Sequence, residues 1–200
     1  MKKMKAFYLF IVLAMVAVLI VVFSSMAQAQ AVPDGFAGIP WGASRTTVEK
    51  AMAERYYPKD STSKADVYIY NGEFAGYKGD LIFRFINNKF YEGNALFLWH
   101  EPNNWRIDQY FRELEVQLIK KYGNPHHRYP GTNEPWEPRS SSWTLKNSNT
   151  TIDLILHKQY EYKDPNPRSE PPAVTGNVNI CYTNTTLQEQ EEKRAKDKDL

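Results

Sequence analysis

The chain has one cysteine, Cys181, in 200 residues. That excludes an intramolecular disulfide framework and leaves stability to an apolar core. It also lacks a G-x-S-x-G nucleophile element and a glycine loop closed by lysine, so no local signature of acyl or phosphoryl transfer is present. Charge of one sign is missing as well. The 25 basic and 23 acidic residues nearly cancel, and residues 1–29 hold Lys2, Lys3 and Lys5 but no acid, which leaves 22 against 23. A near-neutral chain lacks the clustered Lys and Arg that nucleic-acid backbones require, so nucleic acid is not an expected partner. Aromatic residues, in contrast, are abundant, with 13 Tyr, 10 Phe and 5 Trp. They supply large buried areas without covalent staples.

The N-terminus has the layout of an export signal. Three lysines precede an apolar run from Ala6 to Phe23 interrupted only by Tyr8, and Ala27-Gln28-Ala29 fits an A-x-A cleavage site. Residues 1–29 are therefore expected to be a signal peptide and 30–186 one α+β domain. The run is also long enough for the alternative of an uncleaved inner-membrane anchor, the only membrane contact foreseen. Either way the positive N-terminus places the domain outside the cytoplasm, periplasmic or secreted.

Periodicity organises the remainder. Val48, Ala51, Met52 and Tyr56 form one stripe of a short helix, capped by Ser44 or by a Thr46/Glu49 capping box. Three strand patterns follow, "DVYIY", "DLIFRFI" and "KFYEGNALFLW", with a tight hairpin at Asn87-Asn88. Ile107, Phe111, Leu114, Leu118 and Tyr122 then share one helical face, with Asn103 or Asn104 at the start and Gly123 and Pro125 at the stop. Three more strand patterns end in "NVNICYT", and the charged tail 187–200 has no apolar stripe and is not expected to pack. The order α-β-β-β-α-β-β-β predicts an antiparallel sheet of about six strands with two helices on one face.

The F-x-G-I-P-W-G-x-S opening at Phe36–Ser44, the F-x-F-x-N-N-K-F hairpin at Phe83–Phe90 and Y-G-x-P at Tyr122–Pro125 resemble small bacterial exported proteins of unassigned function. The helix plus three-strand unit, used twice, is similar at fold level to β-lactamase inhibitor proteins and to small lipoproteins of outer-membrane assembly. The resemblance implies binding to proteins rather than catalysis. The chain departs from the lipoproteins by lacking their anchoring cysteine.

Gly35–Gly42 invites comparison with a phosphate loop. The bulky Ile39-Pro40-Trp41 and the missing lysine favour instead a packed entrance to the first helix, with Ile39 and Trp41 as a lid. Histidines are scattered, and neighbouring His126 and His127 on an extended loop point apart, so no metal or other cofactor is expected. Glu113 and Glu115 are expected to face solvent. In "TTIDLILH", Asp153 and His157 share a face but lie four residues of strand rise apart, about 13 Å, which marks a surface and not a dyad. If aliphatic side chains meet the helices, the opposite face displays Tyr68, Tyr70, Arg84, Asp153 and His157, with Trp99 or Trp143 at its margin. Tyr, Trp and Arg supply area with a polar handle, so this face is the expected binding surface for a protein or envelope component. The alternative is an exported hydrolase using His100, His126 or His157 with a carboxylate or metal.

Overall fold

The computed structural model describes residues 32–101, 104–131, 139–161 and 173–198. The signal or anchor, the side chains of Trp99 and His100, and the Asn103 cap lie outside the described residues. Val32–Leu200 forms one compact unit.

A two-stranded ribbon, β1 (Gly35–Phe36) and β2 (Ile39–Pro40), precedes helix α1 (Arg45–Glu54). Strands β3 (Val67–Phe74), β4 (Tyr77–Ile86) and β5 (Lys89–Glu101) follow, then helix α2 (Asn104–Tyr122). Strands β6 (His127–Tyr129), β7 (Arg139–Leu145), β8 (Thr150–Glu161) and β9 (Ala173–Asn184) lead directly into helix α3 (Thr185–Lys198). The main sheet is antiparallel throughout, in the order β3-β4-β5-β9-β8-β7-β6. The first meander runs from one edge to the centre. Helix α2 carries the chain to the far edge, and the second meander returns until β9 pairs with β5.

The α+β class, with antiparallel meanders on either side of α2, is thus as the sequence predicts, but the element count differs. Among the described residues, seven strands and a separate ribbon replace about six, and three helices replace two. The additions are a two-residue ribbon and a three-residue edge strand, too short for period-two alternation to register, and a polar helix without an apolar stripe. The predicted hairpin is present: Asn87 and Asn88 both take positive φ, as do Ala37-Gly38 and Ala75-Gly76. Two consecutive left-handed residues match the twist of the paired strands.

Alternation decides which residues meet the helices. Leu81, Phe83, Ala95, Phe97, Ile152, Leu154, Val178 and Ile180 are all buried on one face. Val48 and Met52 of α1 and Ile107, Phe111, Leu114, Leu118 and Tyr122 of α2 are buried as well. Both helices approach that same face: Arg45 of α1 sits over the Phe85 ring at 5.6 Å, and Tyr122 of α2 meets Tyr182 at 6.2 Å. Burying each large apolar side chain contributes about 1.5–3 kcal/mol, and these aromatic pairs add to it.

The ribbon plugs this core. Phe36 lies on Gly93, where a Cβ would come within 2.3 Å of its ring, and it contacts Phe74, Phe83 and Tyr182 at ring separations of 5.0–5.6 Å. Ser44 is the N-cap of α1 and accepts the Thr47 amide at 3.2 Å, which selects it over the Thr46/Glu49 box. The α1 stripe stops earlier than predicted. Arg55 caps the helix, and Tyr56 turns to φ +59 and is 93% exposed.

The tail differs from expectation. Asn184 Oδ1 accepts the Leu187 amide at 2.8 Å, starting α3 two residues before the predicted tail. Glu191 is only 2% exposed. Its carboxylate accepts from Lys89 at 2.8 Å, from Asn87 at 3.0 Å and from Arg194 at 2.5 Å. Lys89 pairs with Ile86 and so belongs to the face opposite α1 and α2. A polar clamp docks this helix where no apolar stripe exists.

Candidate functional site

Opposite the two packed helices, the register aligns Ile69, Ile82, Asn94, Cys181, Asp153, Ser142 and His127 across all seven strands. The next row holds Asn71, Asp80, Leu96, Asn179, Ile155, Ser140 and Tyr129. Among the described residues only α3 reaches this face, at the Lys89 end, and the remainder forms a broad surface. Leu98 stands out from it, 67% exposed.

Three of the five residues expected there are in place. Arg84 pairs with Glu92 at 3.0 Å, Asp153 is half-buried and His157 exposed. Tyr68 and Tyr70 are on the other face, which corrects the sequence-based assignment. They pair with Phe83 and Leu81, the covered residues of β4, and Tyr70 is 3% exposed. Trp143 is likewise fully buried under α2, with its indole donating to the Gly123 carbonyl at 2.8 Å. In "DVYIY" both registers bury apolar atoms, so alternation identifies two faces without saying which is inside. Pairing with Phe83 decides it, because α1 brings Val48 and Met52 to the tyrosines' side.

Tyr68 receives Lys59 over its ring at 3.4 Å and packs on Phe85 at 5.0 Å. Tyr70 buries its hydroxyl with no hydrogen-bond partner, and desolvation, then the charge of Glu49, pushes its pKa up to about 12. Both tyrosines are structural.

The centre of the open face is a polar network. Asn94 donates to Glu92 at 2.8 Å, Asn179 donates to Asn94 at 3.5 Å, and the Asn179 carbonyl oxygen is buried without a partner. Cys181, beside them on the central strand, is a free thiol whose pKa is pushed up to about 12 by burial, against the lowering effect of its hydrogen bond with Thr183. A thiol held this far from ionisation is a poor nucleophile.

Among the described residues no hydrolytic constellation assembles, and no group of three His, Cys, Asp or Glu side chains converges on a metal position. His126 accepts the Thr144 amide through Nδ1 at 3.1 Å, which ties the imidazole to the edge of β7. His157 and Asp153 are on one face with Ile155 between them. The Gly35–Gly42 turn offers no anion cradle, because the amides of Trp41, Gly42 and Ala43 donate to the carbonyls of Asp34, Phe90 and Pro40. Ile39 is 2% exposed and Trp41 packs on Phe90 at 5.1 Å, the lid arrangement expected.

Of the α2 glutamates, Glu113 is exposed, as expected, and Glu115 is half-buried; both carboxylates accept hydrogen bonds. Glu115 accepts from Ser141 at 2.6 Å and Arg128 at 3.0 Å, pinning β6 and β7 to the helix. Glu113 accepts from the Tyr77 hydroxyl, which lowers the carboxyl's pKa. No sequence signal could find these partners, which lie on strands up to 36 residues away.

A second feature lies at the β3–β4 corner, where the Tyr57 ring occupies the Cβ side of Gly72 beside Leu81, on the helix-covered face. Asn71, Gly72 and Glu73 pair with Asp80, Gly79 and Lys78 and, with Tyr57, line a groove of about 500 Å³. Asn71 donates to Asp80 at 2.9 Å.

The fold and these surfaces define an α+β protein with a helix-covered sheet face and an open one. Family models, curated proteins and solved structures contain no match to the chain.

Proposed function

We propose that the mature chain is an exported, non-enzymatic binding module, and that its open sheet face holds a partner protein or an envelope component. The observation that carries this reading is the seven-strand face that neither α1 nor α2 covers, with Leu98 at 67% exposure and with no side-chain hydrogen bond or ion pair at Asp153 or His157 among the described residues. Aliphatic side chains at Ile82, Leu96 and Ile155 alternate there with Asn, Ser and Thr, a mixture suited to a moderately apolar, hydrogen-bonding interface. Arg84, Asp153 and His157 remain the proposed contact residues, joined by Leu98. Tyr68 and Tyr70 belong to the covered face and take no part. The leader at residues 1–29 supports export, and a module working outside the cytoplasm would meet envelope partners.

The test is capture from an envelope fraction with the wild-type domain and with Leu98→Asp and Asp153→Lys. Both variants should retain the wild-type melting temperature to within a few degrees and lose the captured partner, since a charge at the centre of an interface costs several kcal/mol when desolvated. Capture of the same partner at the same yield by both variants would remove the face from the proposal.

A further inference from the structure

We propose that the partner of the open face is a second copy of this chain, joined face to face about a two-fold axis that crosses the strands at Ile155. The proposal deepens the partner-binding reading and rests on it, since it names the protein that the face holds. Asp153, Ile155 and His157 follow one another at two-residue spacing on the open side of β8, paired with Cys181, Asn179 and Asn177 of β9. Asp153 and Ile155 are half-buried and His157 is exposed. Neither Asp153 nor His157 has a side-chain hydrogen bond or ion pair among the described residues.

This spacing makes the face complementary to itself. Asp153 lies about 6.8 Å to one side of Ile155 along the strand and His157 about 6.8 Å to the other. A two-fold axis at Ile155 reverses β8 upon itself, so that Ile155 meets Ile155 and each Asp153 carboxylate meets the imidazole N–H of His157 on the second copy, twice by symmetry. Leu96 is in the same cross-strand row as Ile155, and the axis sets it beside Leu96 of the second copy. Leu98, 67% exposed in the single chain, is covered by the same contact. Asp80 is three strands away in that row. Packed sheets cross at about 30°, which at a distance of about 14 Å carries Asp80 about 7 Å past its counterpart and relieves their repulsion.

The area suffices for a stable dimer. Strands about 4.8 Å apart and three rows of side chains about 6.8 Å apart, through Asp153, Ile155 and His157, cover about 30 by 20 Å, or about 600 Å² per copy in projection. Two copies together exceed the roughly 1,000 Å² of buried surface that a specific interface needs. Identical sheets share one twist, which lets them stack about 10 Å apart as the two layers of a sandwich do. Helix α3 leaves the rows clear, because it is anchored on Asn87 and Lys89 at the end of the sheet beyond Arg84.

Sedimentation equilibrium of the exported protein tests this. The wild type should dimerise with a dissociation constant of about 10 μM or below. Leu98→Asp, Asp153→Lys and His157→Asp should each weaken the dimer at least about tenfold while keeping the wild-type melting temperature to within a few degrees. The exchange Asp153→Lys/His157→Asp should return the dissociation constant to within about threefold of the wild type, because only a symmetric contact between these two positions re-forms when both charges are swapped. The proposal is overturned if the wild type is monomeric at about 200 μM, if the single variants dimerise as well as the wild type, or if the folded double exchange stays monomeric. Should the double exchange unfold, the wild type and Leu98→Asp still decide. A monomeric chain that captures an envelope partner through Leu98 and Asp153 overturns this inference alone, whereas a dimer indifferent to all three single variants, with capture equally indifferent, overturns the partner-binding reading with it.

Discussion

The covered and open faces of the seven-stranded sheet are made from the same strands by alternate residues, and they obey different physics. On the covered face, rings and aliphatic groups are removed from water by α1, α2 and the Phe36 plug. On the open face, polar groups bond to one another, Arg84 to Glu92 and Asn179 to Asn94 across neighbouring strands and Asn94 to Glu92 along one strand. The first face therefore holds the energy of the fold. The second is left with little stabilising duty and is available for contact with other molecules.

The largest expected effect tests the covered face. Phe83→Ala, Leu154→Ala and Ile180→Ala should each cost about 2–5 kcal/mol, since lost transfer energy and a cavity add. Tyr70→Ala belongs in this group because Tyr70 is as buried as they are. Denaturant midpoints measured at constant slope check all four. A Tyr70→Ala loss below about 1 kcal/mol would return that residue to the open face.

The next prediction concerns the polar clamp of α3. Hydrogen bonds from Lys89 and then Asn87 hold the Glu191 carboxyl down to about 2, against an ordinary 4.5. A depressed folded-state pKa means that the stabilisation is complete above the unfolded value and is lost as pH falls from about 4.5 towards 2. Carbon-detected NMR titration of the Glu191 carboxyl should show the low midpoint. Glu191→Gln should accelerate amide exchange in α3 already at neutral pH while leaving β4 and β9 protected. Unchanged exchange would mean that the helix is docked by something other than this clamp.

Smaller effects sharpen the contrast. Arg84→Ala, Asp153→Ala and His157→Ala should each cost about 1 kcal/mol or less, because an open face loses mainly cross-strand contacts. Tyr70→Phe should be neutral or stabilise by up to about 1 kcal/mol, since it removes a buried hydroxyl that has no partner. Cys181 sits on the open face, yet burial has raised its thiol to about 12. Thiol-specific reagents at pH 8 should modify it slowly in the native state and fast after denaturation, and an oxidised dimer should not accumulate. Rapid native labelling would show that the centre of the open face is wetter than the structure makes it.

The sequence by itself determined the elements whose periodicity is long and whose stops are chemical. Ile107 to Tyr122 at helical spacing with Gly123 behind them, the Asn87-Asn88 hairpin and the Ser44 cap all follow from local backbone preference and a single stripe of apolar residues. The open side of Arg84, Asp153 and His157 is legible too, because Phe83, Phe85, Ile152, Leu154 and Leu156 alternate with them and are buried on the other. Only the tertiary structure decided the side taken by Tyr68 and Tyr70, since an amphipathic ring suits either face and its pairing with Phe83 and Leu81 is a long-range event. The same holds for the polar dockings. Glu191 finds Lys89 across 102 residues and Glu115 finds Ser141 across 26, and no local pattern encodes a carboxylate's partner. Burial of apolar stripes is periodic and therefore legible along the chain. Pairing of isolated polar groups depends on where separate strands and helices meet, and that is fixed only when the sheet closes β9 against β5.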